Sequence, residues 1–379
     1  MAAFVKPDDF SSPASIKIPA TNRILSGIRN SSFTSPAARS SCSSLDSPLS
    51  GRVTAAIPPS PFMERIGYGT GVSVYLFQRG SKSDGSGLSP WAIKKTRART
   101  CNNGNADNKQ DKVEKMLAKE AQILKELKHD NIVGFRAFSR NVDGSLCLSM
   151  ENGEQSLCDL IERRDEEDLG PFPASNIYHV ALALARALNY LHNEKHILHG
   201  DLKSGNVLIG ADFQSVKLCD FGVALKLEKD LTCTQDADNH YIGTEPWSAP
   251  EVIQEEGAVT DKADIFSYGL VLWEMMAVTL PHVHLLSNSI DDSAEDESFD
   301  ESLYEARYQA ALGTRPPLPD YPLSPAYNFA ISLFLACTED LPAKRPSASF
   351  IVELLESIPV PSDHSAADFI EDKENVPMD

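Results

Sequence analysis

The chain has 379 residues, with 54 acidic against 35 basic side chains and a formal charge of −19. That sign excludes nucleic-acid binding through bulk charge, because a phosphate backbone would repel it. An apolar share of 42% allows a sizeable core, and the longest apolar run, Ile265 to Leu280, is too short and too interrupted by Glu274 to span a bilayer.

The N-terminus has no apolar signal-peptide core. Seven scattered cysteines (42, 101, 147, 158, 219, 233, 337) form no CxxC pair, which implies reduced thiols. A soluble protein of the cytoplasm, the nucleus or both is expected, with neither membrane nor nucleic acid as a direct partner.

Residues 1–61 are rich in Ser, Pro, Thr and Ala and poor in large apolar side chains. Such a segment buries too little surface to offset its ordering entropy and is expected to be disordered. Four Ser-Pro pairs, beginning at Ser12, Ser35, Ser47 and Ser60, are candidates for proline-directed phosphorylation. From Phe62 the texture changes to short β-branched and aromatic runs, Val72 to Phe77, Trp91 to Lys94 and Leu146 to Met150. Between them, apolar residues at 113, 116, 117, 123, 124 and 127 predict a helix over Lys112 to Lys128.

Beyond residue 157 the pattern becomes helical. Ile177, Val180, Ala181, Leu184, Leu188 and Leu191 keep helical spacing, and Ile265 to Val278 reads as a buried core helix. Residues 287–302 form an acidic insertion, expected to be a mobile loop, and residues 357–379 form an acidic tail. Strands first and helices second imply an α+β fold of two unequal lobes, 62–151 and 154–356, joined near Glu151 to Gly153.

Four clusters carry chemistry. In Ile66-Gly67-Tyr68-Gly69-Thr70-Gly71-Val72-Ser73-Val74, glycines between two strands let backbone N–H groups approach phosphates; alone, this reads equally well as a hairpin turn. Lys94 ends an apolar strand, Trp91-Ala92-Ile93-Lys94, and by itself is a solvated lysine. Glu120 by itself is a surface carboxylate on an amphipathic helix. The fourth cluster decides: His199-Gly200-Asp201-Leu202-Lys203-Ser204-Gly205-Asn206, then Asp220-Phe221-Gly222, then Gly243-Thr244-Glu245-Pro246-Trp247-Ser248-Ala249-Pro250-Glu251. Phosphoryl transfer needs a group to orient the hydroxyl, ligands for the metal that holds the phosphates, and cations to offset charge. An Asp, a Lys and an Asn on one loop and an Asp on the next supply that set.

These motifs resemble the eukaryotic protein kinases from Phe62 to about Glu356. The resemblance implies a bilobal fold with a small antiparallel-sheet lobe carrying one main helix and a larger helical lobe, using ATP and Mg²⁺. Residues 66–74 would cover the phosphates, and Lys94 would grip them, oriented by Glu120. Met150 would stand beside the adenine, with the hinge starting at Glu151. Asp201 would accept or orient the substrate hydroxyl, Lys203 would lie near the γ-phosphate, and Asn206 and Asp220 would hold magnesium. Glu251 would pair with Arg345, and Asp264 would anchor the catalytic-loop backbone. Lys203 and the Gly243-Thr244 pair resemble serine/threonine kinases, a pattern that dual-specificity kinases share.

Ser60 to Val72, Asn131 to Phe138, Asp143 to Leu148, Tyr241 to Trp247, Thr260 to Phe266 and Ala310 to Pro317 resemble a narrower family, the PDZ-binding kinases. This implies a MAP kinase kinase-like, mitosis-linked enzyme with MAP kinase family members as substrates. It also implies an upstream cyclin-dependent kinase acting on the tail, for which Ser60 is the candidate phosphosite. Asp379 at the C-terminus cannot fill the apolar pocket of a PDZ domain, so PDZ binding is not expected. Lys373-Glu374-Asn375 resembles a degradation box read by the anaphase-promoting ubiquitin ligase.

Two positions depart from the kinase pattern. Val72 stands where the phosphate loop usually has its third glycine and is expected to stiffen it. Gly200 replaces the arginine that in most kinases clamps an activation-segment phosphate. Activity is therefore expected to depend less on phosphorylation of Thr232, Thr234 or Tyr241 than on the N-terminal tail or a partner. The rival reading is a pseudokinase scaffold, which the presence of Lys94, Asp201, Asn206 and Asp220 disfavours.

Overall fold

A computed structural model describes residues 63–69, 71–81, 87–97, 104–233, 240–255, 257–285 and 301–362. Ser60, Thr70, Thr234, Lys373-Glu374-Asn375, Asp379 and most of the acidic insertion and of both tails lie outside these residues.

The alternating runs after Met63 become five antiparallel strands, β1 Met63–Gly69, β2 Val72–Ser81, β3 Gly87–Thr96, β4 Phe135–Arg140 and β5 Leu146–Glu151, in the order β1-β2-β3-β5-β4. Register places Lys94 between Val74 of β2 and Leu148 of β5, which sets it in the middle of the sheet. Helix α1, Gly104–Glu126, crosses this sheet and buries Leu117, Ala121 and Leu124. It begins at Gly104 rather than the expected Lys112. The Asn/Gly-rich lead-in favours a turn on propensity, but a helix nucleated by the packed stripe propagates back through it at little cost. It ends at Glu126 rather than Lys128, because the chain then docks on the large lobe: Leu218 N–H donates to Asn131 O and Val133 N–H to Leu218 O, at 2.9 and 3.0 Å.

After Glu151 the chain forms β6 Gln155–Ser156 and α2 Leu157–Glu166. Ser156 and Asp159 close a capping box at the start of α2, each side chain accepting from the other's backbone N–H. The spacing from Ile177 onward gives α3, Ala174–Asn189, continued by a π-helical turn, Tyr190–Lys195, that His196 stops with φ 53°. Short strands follow: β7 Ile197–Leu198, β8 Val207–Gly210, β9 Ser215–Leu218 and β10 Leu225–Lys226. β6, β8 and β9 form one small sheet and β7 and β10 another. The rest is helical: α4 Pro250–Ile253, α5 Lys262–Ala277, α6 Glu301–Ala311, α7 Asn328–Cys337 and α8 Ala348–Ser357.

Helix α5 is the centre of the large lobe. Every residue from Ala263 to Met276 is buried, as a helix apolar all round must be. Helix α6 takes up Glu301 and Ser302, the end of the expected acidic loop, because Tyr308 and Leu312 are buried and carry the turns before them. Two lobes, sheet-rich and helix-rich, make the expected α+β bilobal architecture. The described cysteines, 147, 158, 219, 233 and 337, are all free thiols, and no helix among the described residues is long and apolar enough to cross a membrane.

Candidate active site

A cavity of about 300 Å³ opens between the sheet of the small lobe and β8 of the large one. Its roof is Ile66, Val74 and Ala92, its back is Met150, Lys94 and Glu120, and its floor is Leu208 with Asn206, Cys219 and Asp220. The glycine-rich segment is the β1–β2 hairpin. Gly71 has φ +86°, and a Cβ there would lie 2.7 Å from Cγ2 of Val113 on α1, so only glycine fits both the turn and the contact. Val72 and Ser73 begin β2 beside the roof, and Tyr68 and Gly69 pair with them in register.

One cation is held by two carboxylates. Lys94 Nζ donates to Glu120 Oε1 and Oε2 at 3.1 and 2.9 Å and to Asp220 Oδ1 at 2.8 Å. Burial pulls the Lys94 ammonium down, but Asp220 and Glu120 more than reverse this and hold it well above the ordinary lysine value. Burial pushes Glu120 up to about 7 against the attraction of Lys94. The cleft walls also push Asp220 up, yet the charge and hydrogen bond of Lys94 hold it down to about 2. The Asp220 side chain keeps 41% exposure, so a carboxylate oxygen still faces the cleft. Its backbone sits at φ 66°, a conformation costing a non-glycine residue roughly 1–3 kcal/mol. Phe221, fully buried, packs edge-on against His199 with centroids 5.0 Å apart and keeps that turn in place.

The loop after β7 carries the other half. Asp264, at the start of α5, accepts the backbone N–H groups of His199 and Gly200 at 2.8 and 2.9 Å and lies 2.8 Å from His192 Nε2. Burial raises the Asp264 carboxyl, but these partners, His192 above all, bring it below the usual range. Held this way, the loop presents Asp201. Its Oδ1 accepts from Thr244 Oγ1 at 2.5 Å, and its Oδ2 accepts from Lys203 Nζ at 2.8 Å and Asn206 Nδ2 at 3.0 Å. Lys203 also donates to Thr244 Oγ1 at 2.6 Å. Asn206 Nδ2 further donates to Asp201 O at 2.7 Å, which turns the amide oxygen to the other side.

Below the cleft, Glu251 and Arg345 pair bidentately at 2.7 and 2.8 Å. Glu274 of α5 accepts from Ser204 Oγ at 2.6 Å and Trp247 Nε1 at 2.7 Å, tying the catalytic loop to the segment before α4. Burial pushes Glu274 up to about 8, which favours its protonated form.

The structure thus brings Ile66, Val74, Lys94, Glu120, Met150, Asn206 and Asp220 to one cleft, with Asp201 and Lys203 at its lower edge. Glu151 also lines it, but its carboxylate turns away, accepting from Gly134 N–H at 3.2 Å and lying 3.4 Å from Lys217 Nζ. Sequence reasoning missed Glu154, Ser156, Asp159 and Leu208, which line the outer end and floor. The Ser156-x-x-Asp159 capping box was the available signal for two of them.

Comparison with known proteins agrees with this geometry. The protein kinase domain family model matches residues 62–355. The chain is 50% identical over 305 residues to the lymphokine-activated killer T-cell-originated protein kinase of Homo sapiens, covering 80% of this chain and 92% of that protein. It is 33% identical over 174 residues to the mitogen-activated protein kinase kinase kinase zak-1 of Caenorhabditis elegans, and 30% identical over 244 residues to the serine/threonine-protein kinase STY17 of Arabidopsis thaliana. Those alignments cover 44% and 64% of this chain but only 23% and 37% of the two relatives. With a cleft built from these side chains and a domain match across most of its length, the chain belongs to the protein kinase family.

Proposed function

We propose that the protein is an active kinase that transfers the γ-phosphate of ATP to serine or threonine hydroxyls of other proteins. The observation that carries this reading is the convergence on one cleft of the Lys94–Glu120–Asp220 cluster and the Asp201–Lys203–Asn206–Thr244 cluster. A scaffold that only binds has no need of both.

Each group has a role its geometry suits. Ile66, Val74, Ala92, Met150 and Leu208 offer apolar faces to a purine, and the hairpin at Gly71 offers backbone N–H groups to phosphates. Lys94, pinned by Glu120, meets the α- and β-phosphates. Asp201 has one oxygen committed to Thr244 and the other to Lys203 and Asn206, so it is oriented to align an incoming hydroxyl and take up its proton. Lys203 lies where charge develops on the transferring group. Among the described residues no cluster of three or more His, Cys, Asp or Glu could hold a metal by itself. One carboxylate, Asp220, and one amide oxygen, Asn206, fit Mg²⁺, which binds through few protein oxygens and shares the substrate's phosphates. When bound, the ion would neutralise charge on those phosphates.

By resemblance, the substrates are MAP kinase family members, the setting is mitosis in the cytoplasm or nucleus, a cyclin-dependent kinase acts on Ser60, and the anaphase-promoting ligase reads Lys373-Glu374-Asn375. The decisive assay is Mg²⁺-ATP transfer to serine, threonine and tyrosine acceptor peptides, with Asp201→Asn as control. Transfer to serine or threonine that the substitution abolishes supports the reading. Equal phosphorylation of tyrosine extends it to dual specificity, and nucleotide binding without transfer to any acceptor favours the scaffold.

A further inference from the structure

Gly200, the residue before Asp201, has φ +75° and its N–H bound to Asp264. A Cβ built there would point at Val223 O, 3.5 Å away, and at Cε2 of Tyr241, 3.8 Å away. The space in front of Gly200 is therefore filled by an aromatic ring from the segment that follows residue 239. That ring is folded back on its own chain: a Cβ on Gly243, at φ +47°, would come within 2.3 Å of Tyr241 Cε1. Only a glycine at 243 permits the fold, and only a small residue at 200 leaves the ring its place.

Tyr241 lies beside the Ser248 side chain, whose Oγ donates to Thr244 O at 3.0 Å, and Thr244 Oγ1 donates to Asp201 Oδ1 at 2.5 Å. Burial, with Asp264 and Asp201 nearby, pushes the phenol well above its ordinary value, so it stays uncharged. Thr232 is engaged elsewhere: its hydroxyl donates to Asp230 at 2.6 Å and its backbone bridges Thr260.

We propose that Tyr241 is a positioning residue, an uncharged latch that seats the His240–Ser248 segment on the catalytic loop in place of an arginine–phosphate clamp. The inference rests on the kinase reading above. It makes the alignment of Asp201 and Thr244 a built-in property of the fold instead of a product of phosphorylation within the segment.

The test uses the full chain and measures kcat, the KM for ATP, the KM for a peptide acceptor and the melting temperature. Tyr241→Ala is expected to lower kcat by about tenfold or more, since small misplacements of reacting groups are costly, with the ATP KM within about twofold of wild type. Tyr241→Phe keeps the ring and is expected to recover most of that loss. A Thr232→Ala/Thr234→Ala variant is expected to keep most of the wild-type kcat. Should Tyr241→Ala fail to fold, Tyr241→Leu, which restores much of the lost volume without the ring or hydroxyl, carries the same expectation. Wild-type kcat in Tyr241→Ala, a parallel loss of ATP affinity and melting temperature, or loss of activity in the threonine variant would each overturn the latch while leaving the kinase reading intact. A wild-type protein that transfers no phosphate would bring down the kinase reading first and the latch with it.

Discussion

Replacing Glu251 by alanine strands a guanidinium in the interior. The Arg345 side chain is fully buried and its partner nearly so. Besides the bidentate pair, Arg345 donates to three carbonyls, Glu339 O at 2.7 Å, Lys262 O at 2.9 Å and Asp340 O at 3.0 Å, and it lies over the ring of Phe266. Removing one partner of a buried pair costs roughly 3–5 kcal/mol. At about 2 °C per kcal/mol for a domain of this size, Glu251→Ala should lower the melting temperature by roughly 6–10 °C. Arg345→Met should be worse, because it leaves a buried carboxylate without its cation and the Glu339 and Asp340 carbonyls without this donor, at roughly 1–3 kcal/mol for each carbonyl. The double variant Glu251→Met/Arg345→Met removes the stranded charge but not the stranded carbonyls, so it should stay clearly below wild type. Thermal unfolding of the three variants, followed by fluorescence and by circular dichroism, gives the order. A shift under about 2 °C for Glu251→Ala, or a double variant as stable as wild type, would refute the reasoning.

Three further outcomes are expected. Lys94→Met leaves Glu120 and Asp220 facing each other without their cation; phosphate transfer should fall by about 10²-fold or more in a folded protein, and a smaller loss would remove Lys94 from the machinery. Gly153→Ala places a Cβ 2.4 Å from Cβ of Leu208, so the cleft floor must move and the KM for ATP should rise several-fold with kcat little changed; an unaltered KM would contradict the packing. Glu274, raised from 4.5 to about 8, keeps its proton in the folded state where the unfolded chain releases it. Its stabilisation is therefore complete below about 4.5 and is lost as pH rises toward 8, with a slope of up to about 1.4 kcal/mol per unit. Between pH 6 and 8.5 the melting temperature of wild type should fall more than that of Glu274→Gln, and parallel curves would argue that Glu274 is charged.

The cleft was legible in the sequence because phosphoryl transfer demands particular residue types at short spacings, and Asp201, Lys203, Asn206 and Asp220 announce themselves. The core of α5 was legible for a different reason: a long apolar run holding one carboxylate has few places to go. Tertiary docking was not legible. The start of α1 at Gly104 contradicts local propensity and follows from packing further along the helix. Asp159 and Leu208 reach the cleft through β6, β8 and the hinge, whose joint geometry no local pattern encodes. Tyr241 stood in a recognisable motif, but its ring meets Gly200 only because two glycines far apart in the chain both make room.

Asp264 grips the backbone ahead of Asp201 from the first turn of a helix that is buried from Ala263 to Met276. The reacting aspartate thus takes its coordinates from the deepest part of the molecule, not from the walls of the groove that substrate touches. Tolerance to mutation should therefore not rise steadily with distance from the nucleotide: an overpacked methyl group midway along α5 should register as lost turnover before any surface change beside the cleft does.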